Sequence, residues 1–267
     1  MRIGLAQMDI LWENIEENKN KAETFFQEAK KQKTDIVVFP EMTLTGFSMN
    51  VVKTAADWRI QADFFREMSK KYDMTAVFGY PARISKEEIK AHPEWKEYQN
   101  HLSIMDRGKE LLNYTKIHPF TYGLEARYFQ GGERIDTAEW KDTVLGAFIC
   151  YDLRFPEIFQ VSSRKSEVIF VIANWPAERA DQWNCLLQAR AIENQSYVVG
   201  VNRTGDGGKI HYNGHSAVYG PTGAAMTKIC EEEKLIVAEI HPETVRKYRE
   251  EFPMKKDRRE DLYRFYV

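Results

Sequence analysis

The sequence predicts an α/β fold with covered sheets, and three observations lead there. Apolar β-like runs alternate with segments of helical periodicity along nearly the whole chain. One of those runs, Val144-Leu145-Gly146-Ala147-Phe148-Ile149, is apolar throughout, as a buried strand is. No linker, repeat or low-complexity stretch breaks the alternation, so residues 1–267 read as a single domain.

The elements follow in order. Ile3–Met8 is a first strand, its apolar run being too short for a signal peptide. From Asn14 to Lys31, the residues Ile15, Ala22, Phe25, Phe26 and Ala29 share one helical face, and Asn14 with Glu17 resembles a capping pair. Ile36–Phe39 is a second strand, ended by Pro40-Glu41. Asp57–Tyr72 is a helix that turns Trp58, Phe64, Phe65 and Met68 inward. Ala76–Tyr80 is a third strand, and the turn Arg107-Gly108-Lys109 joins His101–Asp106 to Leu111–Lys116 as a hairpin. The strand ending at Cys150 runs through a sharp turn into a helix. Val168–Asn174 is the next strand, followed by a helix over about 180–194 and a strand over Tyr197–Asn202. A Gly-rich loop, Gly205-Asp206-Gly207-Gly208, leads to strands near Ser216–Tyr219 and Leu235–Ile240, and Pro242–Glu251 is a final helix. Residues 252–267 form a tail. Five of its last seven residues are apolar or aromatic, so it is expected to dock on its own body or on a second subunit.

Bulk composition narrows the function classes. A chain of 267 residues buries roughly three quarters of its unfolded surface and needs no disulfide or metal to hold it. With 38 basic and 40 acidic residues, the net charge of −2 is too balanced for a nucleic-acid or membrane-surface partner. Three cysteines argue against a disulfide framework and fit a reducing, cytoplasmic compartment. No run approaches the ~20 apolar residues of a membrane span. The six histidines are scattered, and Cys185 and Cys230 form no ligand pair with Cys150, so neither a metal nor another cofactor is expected. There is no Gly-x-Ser-x-Gly elbow, and Gly207-Gly208-Lys209 lacks phosphate-loop spacing.

Cys150 is the most informative residue. Closing a buried strand before a helix start, its sulfur would sit beside unpaired N–H groups whose partial positive charge favours thiolate. The alternative is a small packed hydrophobe. Two further segments end strands with chemistry-bearing residues, Phe39-Pro40-Glu41 and Tyr114-Thr115-Lys116-Ile117-His118. Ligands collect at such strand ends. A Glu, a Lys and a Cys converging there support acyl transfer: Glu as base, Cys as nucleophile, Lys beside the developing oxyanion. Singly, Glu41 and Lys116 could equally be solvated surface charges.

Together and in this order, Phe39-Pro40-Glu41-Met42-Thr43-Leu44-Thr45-Gly46-Phe47, Tyr114-Thr115-Lys116-Ile117-His118-Pro119-Phe120 and Ile149-Cys150-Tyr151-Asp152-Leu153-Arg154-Phe155-Pro156-Glu157 resemble the nitrilase superfamily of carbon–nitrogen hydrolases. The resemblance implies a four-layer α-β-β-α sandwich, paired into a homodimer or a higher oligomer across helices near the cysteine. It implies Glu41 as general base, Lys116 and the Tyr151 N–H as oxyanion donors, and Glu125 as the second carboxylate that holds Lys116. The segments Pro40–Met49 and Asn174-Trp175-Pro176-Ala177-Glu178-Arg179 are similar to the bacterial omega-amidase branch. That branch implies a small carboxylate-bearing amide of the 2-oxoglutaramate or 2-oxosuccinamate type, hydrolysed through a Cys thioester with release of ammonia. Another small amide or an N-carbamoyl compound is the alternative substrate, and a silent binding member of the family the alternative role. A carboxylate-bearing substrate needs a cation. Arg154 is the candidate, unless it pairs with Asp152 or Glu157; Arg179 and Arg203 are further cations. Phe47, Met49 and Trp175 are candidate pocket walls.

Overall fold

The computed structural model describes residues 1–265, so Tyr266 and Val267, the end of the apolar tail, lie outside the described residues. The strands are β1 Arg2–Gln7, β2 Ile36–Val38, β3 Thr75–Arg83, β4 Tyr98–Asp106, β5 Lys109–Thr115, β6 Thr137–Trp140, β7 Thr143–Ile149, β8 Val168–Ala173, β9 Tyr197–Asn202, β10 Thr204–Gly207, β11 Ile210–Asn213, β12 Ala217–Tyr219 and β13 Lys234–Glu239. The helices are α1 Ile15–Lys31, α2 Val51–Thr54, α3 Trp58–Lys71, α4 Lys86–Ala91, α5 Glu125–Tyr128, α6 Pro156–Ser162, α7 Ala180–Asn194, α8 Glu243–Glu251 and α9 Glu260–Tyr263.

Two mixed sheets carry the fold. The first runs β13-β1-β2-β3-β4-β5, the second β12-β9-β8-β7-β6. Side-chain alternation along a strand explains how they stack. Val37, Phe39, Ala76, Phe78 and Tyr80 pack with Phe25, Phe26 and Phe65 from α1 and α3. The intervening Ile36, Val38 and Val77 join the core of the second sheet instead. All six residues of β8 are buried, and Phe159, Trp183, Leu187 and Ala191 from α6 and α7 join the same core. The layers are therefore helix, sheet, sheet, helix, the four-layer sandwich expected. Each fully buried Phe, such as Phe26 or Phe65, contributes about 1.5–3 kcal/mol.

Topology sets where chemistry gathers. The strands β1 and β2 run parallel in one sheet, and β7, β8 and β9 in the other. Glu41 follows β2, Cys150 follows β7 and Asn174 follows β8, all at carboxyl ends. Lys116 follows β5, the second strand of the expected hairpin.

The structure changes several details. After Cys150 comes a 3₁₀ turn over Cys150–Arg154, and the α-helix starts only at Pro156, where proline suits the first turn. The Gly-rich segment is the hairpin β10–β11 rather than a loop. The elements β6, α2, α4 and α5 are too short to show periodicity in the sequence. In the tail, Arg258 donates to Gln160 at 3.1 Å, but Leu262, Tyr263 and Phe265 are 44%, 40% and 72% exposed. Part of their apolar surface thus stays open to solvent, most of all that of Phe265. Among the described residues, no helix is long and apolar enough to cross a membrane.

Candidate active site

Glu41, Lys116 and Glu125 are buried together. Lys116 Nζ lies 3.0 Å from Glu41 Oε1 and 2.8 Å from Glu125 Oε2. Asn100, on β4, donates its Nδ2 to Glu41 Oε1 at 2.7 Å and to Glu125 Oε1 at 2.9 Å. The other Glu41 oxygen accepts the Asn174 backbone N–H at 2.9 Å, and Glu125 Oε2 accepts the Phe120 N–H at 2.6 Å. Each carboxylate oxygen thus has a donor, as buried charge requires. The strand β3 lets the Glu41 segment approach closely. A Cβ on Gly79 would lie 2.7 Å from the Met42 nitrogen and 2.9 Å from Glu41 Cα, so only glycine fits there.

Charge sets the protonation of the cluster. Burial alone would lower the Lys116 pKa, but Glu125 and Glu41 outweigh it and hold the ammonium charged far above the usual lysine range. Burial raises the Glu125 carboxyl above its ordinary value, against the pull of Lys116. The ionisation of Cys150, which the sequence leaves open, follows the same balance. Burial and then Glu41 push its pKa well above that of an ordinary thiol, against Lys116, so the resting sulfur is protonated. The helical stretch after it is a single 3₁₀ turn, and the Ile149 N–H is already taken by Asp152 at 3.1 Å. Too little dipole is left to offset desolvation.

Cys150 itself has φ +47°, a left-handed conformation strained for a non-glycine residue. The turn projects its sulfur off the strand end, 3.9 Å from the Asn174 carbonyl. Asp152 holds this turn. Besides Ile149 it accepts the Tyr114 hydroxyl at 2.8 Å and the His118 backbone N–H at 3.0 Å, tying the cysteine turn to the segment that carries Lys116.

Above the sulfur opens a small cleft, partly open to solvent. Phe47, Phe120, Tyr151, Trp175 and Tyr212 line it, with Arg154 and Arg179. Phe47 also lies 5.4 Å from Lys116 Nζ. Neither ion-pair alternative for Arg154 is present: it donates to Gln182 Oε1 at 2.7 Å and stacks over Trp175. Asp152 is fully engaged elsewhere. Among the described residues, no cluster of three or more His, Cys, Asp or Glu is placed to hold a metal.

Comparison with known proteins agrees with this geometry. The sequence model described as carbon-nitrogen hydrolase matches residues 2–250. The chain belongs to that family. This carbon–nitrogen hydrolase is 32% identical to the 2-oxoglutaramate amidase of Bacillus subtilis, over 98% of each chain. It is 31% identical to the omega-amidase YafV of Escherichia coli K12, over 96% of each. A CN-hydrolase superfamily protein from Xanthomonas campestris, solved with an arsenic adduct in its active site, superposes with a TM-score of 0.86 at 28% identity over 97% of each chain. The protein is an amidase-type hydrolase of carbon–nitrogen bonds other than peptide bonds.

Two expected positions of this hydrolase fall outside the cleft. Met49 packs beside Met42, Val51 and Phe129. Arg203 is buried, donating to the Ile10 and Asp206 carbonyls at 2.9 Å each, so it is a structural cation. Conversely, Asn100, Asp152 and Tyr212 are members of the site that sequence reasoning did not single out. The available signal for Asn100 was a polar residue inside a strand with buried neighbours.

Proposed function

We propose that the protein is an omega-amidase that cleaves the terminal amide of a small 2-oxo dicarboxylic acid monoamide through a Cys150 thioester. One observation supports the reading: Glu41 and Lys116, from separate strand ends of one sheet, lie 3.0 Å apart, and Asn174, whose N–H Glu41 accepts, has its carbonyl 3.9 Å from the Cys150 sulfur of the other. Glu41 takes the thiol proton as sulfur attacks the amide carbon. A protonated resting thiol suits such concerted base assistance. Lys116 and the Tyr151 N–H stabilise the oxyanion; each such donor is worth roughly 10²–10³ in rate. Glu125 holds Lys116. The intermediate collapses, Glu41 returns the proton to nitrogen, and ammonia leaves. Water deprotonated by Glu41 then hydrolyses the thioester. The substrate carboxylate meets an arginine of the cleft, and Phe47 and Trp175 form apolar walls.

Residues 1–267 act in this reading as one carbon–nitrogen hydrolase domain. The exposed Leu262, Tyr263 and Phe265 support a homodimer in which a second subunit covers the tail. The low cysteine count supports a cytoplasmic setting.

The test is ammonia release from 2-oxoglutaramate, 2-oxosuccinamate and N-carbamoyl amino acids, with Cys150→Ala as control. The monoamides are expected to give the highest kcat/KM, and Cys150→Ala to lower their turnover by at least about 10⁴-fold. Undiminished turnover in Cys150→Ala would sink the thioester route; preference for N-carbamoyl compounds would sink the substrate.

A further inference from the structure

Two polar groups lining the cleft take no part in the bond-making steps above. Tyr212 of β11 is 1% exposed, yet it lines the cleft together with Cys150. Its backbone carbonyl accepts from Thr204 at 3.3 Å, while its hydroxyl bonds to nothing among the described residues. The Arg203 guanidinium stacks over the Tyr212 ring at 4.6 Å and fixes it. Burial raises the phenol pKa and keeps it protonated, and Arg179 lines the same cleft. It is therefore a neutral O–H donor on a residue that lines the same cleft as Cys150.

The second group is Arg179. Its guanidinium lies over the Phe120 ring at 5.9 Å, and among the described residues it has no carboxylate partner. Arg154, the other cation of the cleft, is held by Gln182 and Trp175. No carboxylate is among the residues that line the cleft itself, so a ligand anion there meets the two arginines before the buried cluster beneath.

We propose that the Tyr212 hydroxyl and the Arg179 guanidinium form an anion subsite that takes the substrate carboxylate at the end remote from the scissile amide. An arginine fork and a phenol O–H offer only donors to a ligand that only accepts. The hairpin β10–β11 and the turn after β8 thereby select the substrate, while the strand ends beneath them cleave it. The inference rests on the amidase reading above and deepens it.

The test compares kcat/KM for 2-oxoglutaramate with that for 4-oxopentanamide, in which a methyl group replaces the carboxylate. The wild-type protein is expected to favour the charged amide. Arg179→Met should shrink that preference by about 10- to 100-fold and Tyr212→Phe by about 3- to 10-fold, through KM of the charged substrate more than through kcat. Preference unchanged in both variants, absent in the wild type, or abolished by Arg154→Met instead would overturn the subsite. A binding measurement separates this from failure of the chemistry. Cys150→Ala protein should bind 2-oxoglutarate in calorimetry, and adding Arg179→Met should weaken that binding by a similar factor. Equal binding with and without Arg179→Met overturns the subsite; weakened binding supports it even if no amide is hydrolysed.

Discussion

The buried cluster and the cleft wall above it are built by different physics. In the cluster, Glu41, Lys116, Glu125 and Asn100 are at most 1% exposed, and each carboxylate oxygen has a hydrogen-bond donor. None of these groups can shift without leaving a buried charge unpaired. On the wall, Arg154, Arg179 and Phe120 are partly exposed and held largely by stacking on aromatic rings. Such contacts tolerate substitution. The cluster is fixed by buried charge pairing and the wall by softer stacking contacts, so the two can vary separately.

Breaking the cluster gives the largest effect. Lys116→Met leaves two buried carboxylates facing each other without a cation, at a cost of about 3–5 kcal/mol in urea unfolding at pH 7. Part of the loss should return on acidification, when one carboxyl takes a proton. Unchanged stability would show that the cluster is looser than its geometry.

Titrating the cysteine sharpens the comparison next. Because the Cys150 pKa is raised, the thiolate fraction near neutral pH is small and grows with pH. Alkylation of Cys150 by iodoacetamide should therefore climb about tenfold per pH unit from pH 7 to 9 without levelling. A plateau below pH 7 would mean a resting thiolate.

Changing the wall gives the smallest effect. Phe120→Leu keeps the backbone N–H that binds Glu125, so it should cost less than about 1.5 kcal/mol and alter KM more than kcat. A loss of kcat comparable to that of Lys116→Met would merge the two regions into one unit.

The same division explains what the sequence made legible. Glu41 and Cys150 end strongly apolar strands and Lys116 ends the second strand of a hairpin marked by its turn, so their positions could be read. Asn100 and Asp152 act through partners far away in sequence, Glu41 being 59 and Tyr114 38 residues distant, and no local pattern reveals such pairs. Tyr212 was hidden because a glycine-rich segment reads as a loop, whereas β10 and β11 pair across it. The ionisation of Cys150 was not legible, because desolvation depends on the packed surroundings rather than on the neighbouring residues. Long elements such as α1, capped by Asn14 as expected, were plain from periodicity.

The pairing of β1 with β13 constrains how the chain can be made. Residues 2–7 take their outer neighbour from residues 234–239, and the Met1 ammonium donates to the Ile240 carbonyl at 3.0 Å. During synthesis, the outer edge of β1 waits unpaired until residues 234–239 emerge from the ribosome. Such an edge is open to adventitious strand pairing throughout that interval. Fragments that stop short of Lys234 should accordingly precipitate or recruit chaperones, even with the whole catalytic constellation already translated.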